Sequence, residues 1–139
     1  LPLKSVNNLV KDARKVQQTI LMVGDISDIY VTNFNTMTGD PNFTVEELSA
    51  IAFGYNRLLK ESSDLLLDLK EVTTATGLSM TDKERLDIIN RIYGEVLEYK
   101  NLTWYYTRKN IGVSYLRSKE KGDAARVLSL YGTHEQRYW

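Results

Sequence analysis

Residues 81–121, TDKERLDIINRIYGEVLEYKNLTWYYTRKNIGVSYLRSKEK, decide the fold; they predict one helix of about ten turns. The stretch opens on Thr81-Asp82-Lys83-Glu84, a capping box in which the Thr81 hydroxyl accepts from the Glu84 N–H and Glu84 reaches back to the Thr81 N–H. Apolar or aromatic residues then recur at Ile89, Ile92, Val96, Tyr99, Tyr106 and Val113, with Thr103 and Asn110 filling the gaps in a three–four spacing. A second stripe, Leu86, Tyr93, Leu97, Trp104, Ile111 and Tyr115, runs beside it. Two adjacent stripes predict a helix buried on a broad face, in the groove between two others.

The flanking chain supplies those two helices. Val6, Leu9, Val10, Ala13, Val16, Ile20, Val23 and Tyr30 form one face of a first helix from Lys4 to about Asn35. Gly24 within it is either a tolerated glycine or the site of a close crossing. The β-branched and aromatic run Ile29-Tyr30-Val31-Thr32 lacks the turn signals of a strand, so the helix continues through it. Thr38-Gly39-Asp40-Pro41-Asn42 is a turn. Thr44-Val45-Glu46-Glu47 is a second capping box, with Phe43 placed to staple onto Leu48. The series Leu48, Ile51, Ala52, Tyr55, Leu58, Leu59, Leu65, Leu66, Leu69 and Val72 carries this helix to about Thr76, and Gly77 fits a stop.

Gly122 ends the long helix. Asp123 is the expected cap of a short one, Ala124 to Leu130, closed by Gly132 and followed by a tail through Tyr138 and Trp139. Both connections between the long helices are short, which forces neighbours antiparallel. The expected fold is all-α: a single domain over residues 1–139, an elongated up-down-up three-helix bundle of roughly 50–60 Å with a short C-terminal helix and tail.

Composition narrows function mainly by exclusion. With no cysteine, disulfides, thiolate metal sites and cysteine nucleophiles are out, and the single His134 makes no imidazole cluster. Eighteen basic residues balance eighteen acidic ones, which argues against a whole-protein attraction to nucleic acid or lipid. No apolar run is long enough to span a bilayer. No phosphate loop, dinucleotide fingerprint, nucleophile elbow or HExxH occurs. Glu61 with Asp64, and Glu95 with Glu98, share helix faces as solvated decoration. Nothing here points to catalysis, a cofactor, a metal or a small-molecule substrate.

Partner binding is the remaining class. Charge is uneven: Arg108, Lys109, Arg117, Lys119 and Lys121 crowd the end of the long helix, where the macrodipole favours cations and where an acidic partner or DNA could also dock. Trp104, Tyr105 and Tyr106 are consecutive and turn 100° each, so they cannot all face one groove, and an outward ring is a candidate contact. The candidate partner-binding residues are therefore Trp104, Tyr105, Arg108, Lys109, Arg117, Lys119, Lys121, Tyr138 and Trp139.

The blocks 6–19 (VNNLVKDARKVQQT), Asp40-Pro41-Asn42-Phe43-Thr44, Ala50-Ile51-Ala52-Phe53-Gly54-Tyr55, and Leu130-Tyr131-Gly132-Thr133 through Tyr138-Trp139 resemble the TraI family of Bacteroides-type conjugative transposons, itself similar to TrbJ-type components of type IV secretion systems. The resemblance spans essentially the whole chain. It implies a non-enzymatic component of a conjugation apparatus, periplasmic or extracellular after loss of a signal peptide and a leading helical segment, pilus-associated, with other conjugation proteins as partners. It transfers no site residues and leaves the oligomeric state open. The chain begins Leu-Pro-Leu, and some apolar surface of its first helix is expected to pair with residues preceding it. The alternative is a DNA- or relaxosome-binding accessory protein using the basic end of the third helix.

Overall fold

The structure is a computed structural model that describes residues 3–74 and 80–132, with side chains from residue 11 onward. Four helices follow one another: α1 Leu3–Thr38, α2 Val45–Thr74, α3 Asp82–Glu120 and α4 Ala124–Tyr131, and no strand occurs among the described residues. The three long helices pack into an up-down-up bundle, with α3 against both α1 and α2, and α4 folded back onto α3 and α1.

Local chemistry sets most boundaries. Thr81 Oγ1 accepts from the Glu84 N–H at 3.1 Å while Glu84 Oε2 accepts from the Thr81 N–H at 3.3 Å. The Thr44–Glu47 box forms in the same way, at 3.1 and 3.0 Å. Each box satisfies two N–H groups that the helix start would leave orphaned. Gly122, at φ +77°, turns the chain out of α3. Asp123 does not cap α4 as expected: its Oδ2 accepts from Arg126 Nε and Nη2 at 3.1 and 3.0 Å, and no side-chain cap bond forms. The expected stop at Gly77 and the tail from residue 133 lie outside the described residues.

Which faces are buried differs from the apolar count. On α2 the inward line is Ile51, Tyr55, Leu58, Ser62, Leu69 and Val72, close to the predicted series. On α1 the buried residues include Thr19, Met22, Val23, Ile26, Ile29 and Met37, while Ile20 is 52% exposed. Thr19 takes the core position because its hydroxyl donates to the Lys15 carbonyl at 2.7 Å and so enters apolar surroundings already satisfied. Burial of Ile29, with Tyr30 packed beside it, likewise holds the β-branched stretch helical through Thr38. Gly24 faces open space, so no close crossing occurs there.

On α3 the broad apolar face gives way to a narrower one. Ile89, Ile92 and Val96 are buried, but the line continues through Thr103, Thr107, Ile111, Ser114 and Ser118. Val113, Leu97 and Trp104, all placed on the predicted stripes, are 36–38% exposed. Thr103, Thr107 and Ser118 donate to their own helix at Tyr99 O, Thr103 O and Tyr115 O, so short hydroxyl residues fill the seam without unsatisfied groups. The core is thereby divided. One apolar cluster holds Met22, Val23, Leu69, Val72, Ile89, Ile92 and Val96. The other holds Met37, Phe43, Ile51, Tyr55, Ile111, Val127 and Tyr131.

Candidate functional site

The second cluster is closed by a polar clamp that fixes the 40–44 turn. Asp40 is 2% exposed; its Oδ1 accepts from the Asn42 N–H at 2.9 Å, and its Oδ2 from the Ser114 hydroxyl and from the Tyr131 hydroxyl at 2.7 Å. Asn42 Nδ2 donates to Ser114 Oγ at 3.1 Å, and its Oδ1 accepts from Lys121 Nζ at 2.9 Å. Arg117 donates to the Asn42 carbonyl at 2.7 Å and grips Glu47 with both terminal nitrogens at 2.8 and 2.7 Å. The Arg117 hydrogen bonds and the Thr44 N–H hold the Glu47 carboxyl down from 4.5 to about 2. One turn, the end of α3 and α4 are thus locked together by residues far apart in sequence.

Above the clamp the antiparallel register of α2 and α3 follows from three contacts. Glu47 meets Arg117, the Tyr55 hydroxyl meets Thr107 Oγ1 at 2.6 Å, and the Tyr99 hydroxyl donates to Glu61 Oε2 at 2.8 Å. Thr107 spends its only hydrogen on the Thr103 carbonyl, so Tyr55 is the donor in its bond. The Tyr55 ring stacks on Tyr30 at 4.7 Å and meets Tyr106 edge-on at 5.0 Å. Burial pushes its hydroxyl up from 10.0 to about 12.

This register opens a long shallow groove on the outer side of the α2–α3 seam. Its floor near the middle is Gly54, Leu58, Leu102, Tyr105 and Tyr106. Toward the start of α3 it is bordered by Glu61, Asp64, Asp68, Glu95 and Glu98, with Leu65 and Tyr99 between them. Toward the clamp it passes Ala50, Ile51, Asn110 and Val113. Glu61 pairs with Arg57, Asp64 with Lys60 and Glu95 with Arg91, each one helical turn apart and largely solvated. Asp68 and Glu98 have no ion-pair partner among the described residues. The hydrogen bond from Arg57, then that from Tyr99, lowers the Glu61 carboxyl.

The sequence candidates scatter over this architecture. Tyr105, 51% exposed, lines the groove, and Lys109 Nζ sits 5.3 Å from its ring centroid. Trp104 is 36% exposed, and Arg108 and Lys119 are exposed. Arg117 and Lys121 spend hydrogen bonds inside the clamp. Tyr138 and Trp139 lie outside the described residues. Sequence reasoning missed Gly54, Leu58 and Leu102, and it kept apart the two acidic pairs that share one groove end. The hairpin register was the missing signal: helical spacing places Glu61 with Asp64 and Glu95 with Glu98, but only pairing Glu61 to Tyr99 brings the two sets together.

Chemically the groove offers shape, apolar surface and negative charge. Among the described residues no group of three or more His, Cys, Asp or Glu side chains is arranged to hold a metal ion. No helix is long and apolar enough to cross a membrane, among the described residues. No protein-family profile, curated protein or solved structure matches the chain.

Proposed function

We propose that this chain is a structural or adhesive, non-enzymatic component of a conjugative transfer apparatus of the type IV secretion kind, working in the periplasm or at the cell exterior through protein–protein contacts along the α2–α3 groove. The observation that carries the contact surface is the groove itself, with Leu102 46% and Tyr105 51% exposed over a Gly54–Leu58 floor. Large apolar side chains side by side in water favour a protein partner. The resemblance supports the apparatus. Its blocks include Asp40, Asn42, Gly54, Tyr55 and Tyr131, residues with long-range tertiary contacts, so the likeness extends to residues that hold this particular bundle together.

The test is genetic. Deleting the gene from its element should abolish or sharply reduce DNA transfer in matings, wild-type complementation should restore it, and a Leu102→Lys/Tyr105→Glu variant that still folds should not. Transfer unchanged by the deletion overturns the apparatus assignment; full complementation by the double variant overturns the groove.

A further inference from the structure

The exposed stripe Glu98–Leu102–Tyr105–Lys109 runs along α3 at spacings of four, three and four residues, so the four side chains share one face. Its order is acid, apolar, aromatic, base. Leu102 and Tyr105 both line the middle of the groove. Glu98 lines its acidic end beside Asp64 and Asp68, and Lys109 leans over Tyr105 on the opposite side, next to exposed Arg108. At 1.5 Å per residue, Glu98 and Lys109 stand about 8 Å either side of the Leu102–Tyr105 midpoint. The Tyr106 ring fills the space beside Gly54 and floors the middle of the groove, and Phe53, next to Gly54 in sequence, is 71% exposed.

We propose that the groove binds the same α3 face of a second copy of this chain, antiparallel, across a two-fold axis near the Leu102–Tyr105 midpoint. Reversed and laid over itself, the stripe sets Leu102 against Tyr105 of the second copy and Glu98 against its Lys109, twice over by symmetry. The acidic groove end formed by Asp64, Asp68 and Glu98 then receives Arg108 and Lys109 of the other chain. A parallel pairing would stack acid on acid and base on base, which the charge order rejects. Helices α2 and α3 from each copy complete a four-helix layer, with the apolar middle supplying contact area and the charged ends setting direction. The inference goes beyond the functional proposal and does not depend on the apparatus in which the chain works.

Sedimentation equilibrium tests it. Over roughly micromolar to millimolar chain at low salt, the mass should rise from 16.0 kDa toward twice that value, and the association should weaken in high salt. Glu98→Lys alone and Lys109→Glu alone should each raise the dimer Kd at least about tenfold, while circular dichroism shows the helices intact. An equimolar mixture of the two single variants should recover dimer, because each then supplies the other's complement and one end keeps the wild-type pairing. A mass fixed at one chain, single variants that associate like wild type, or a mixture that stays monomeric each overturns the pairing. So does a monomeric chain whose groove takes a synthetic Lys/Arg-rich amphipathic helix instead.

Discussion

The ring of Tyr106 occupies the space that a side chain at residue 54 would need. A Cβ built on Gly54 falls 2.5 Å from Tyr106 Cζ and closer still to its hydroxyl, which donates to the Ile51 carbonyl at 3.1 Å. Glycine in mid-helix costs stability relative to alanine, and here that cost admits the hydroxyl end of an aromatic ring against the α2 backbone.

Gly54→Ala should therefore destabilise the bundle by about 1–2 kcal/mol, overpacking outweighing the roughly 1 kcal/mol gained in helix propensity. In a Tyr106→Ala background the same substitution should stabilise by about 0.5–1 kcal/mol, since only the propensity gain remains. Urea unfolding of the four proteins checks this; a destabilising Gly54→Ala in both backgrounds would show that Tyr106 is not the obstacle.

The clamp makes stability acid-sensitive in a defined window. Glu47 keeps its proton off down to about 2 when folded, against 4.5 ordinarily. Its contribution is therefore present above about 4.5 and is lost as pH falls toward 2, where the unfolded chain takes up the proton first. Glu47→Gln should flatten the decline in stability across that window and lower stability at pH 7. Thermal melts of both proteins from neutral to acid pH measure the difference.

Asp40 is buried under three donors, and removing them one at a time should be graded. Tyr131→Phe takes one and should cost about 1 kcal/mol. Asp40→Ala strands the Ser114 and Tyr131 hydroxyls and the Asn42 N–H and should cost on the order of 3–5 kcal/mol. Equal losses from the two substitutions would place the energy of this site in packing rather than in the hydrogen bonds.

Tyr55 and Thr107 should behave as one unit. Tyr55→Phe and Thr107→Val should each cost about 1–2 kcal/mol, and the double variant less than their sum, by about 1 kcal/mol. Because burial holds the Tyr55 hydroxyl protonated to about 12 against 10.0 ordinarily, its contribution is whole below pH 10 and is lost as pH rises toward 12. Tyr55→Phe should therefore blunt part of the alkaline loss of stability, read by unfolding at graded pH.

Much of the architecture was legible from local signals. The two capping boxes at Thr44 and Thr81, the turn at 38–42 and Gly122 act within a few residues of themselves, so spacing alone located them. The buried faces were only partly legible. Counting apolar residues put Ile20 and Val113 inside and left Thr19, Thr107 and Ser118 out, because a hydroxyl bonded to its own helix passes as apolar in a way composition does not record; Ser114 is buried instead by its long-range bond to Asp40.

The amino-acid order by itself determined that three long helices form, where they start and turn, and that they run antiparallel, since caps, turns and short links are properties of neighbouring residues. The tertiary structure alone decided that Arg117 and Lys121 serve an internal clamp, that Gly54 yields to Tyr106, and that five scattered carboxylates and an exposed Leu102–Tyr105 pair line one groove. Those relationships depend on the axial register and rotation of α2 against α3. That register is fixed by contacts between residues about 40 to 70 positions apart, such as Glu61 with Tyr99 and Glu47 with Arg117, which no local spacing encodes.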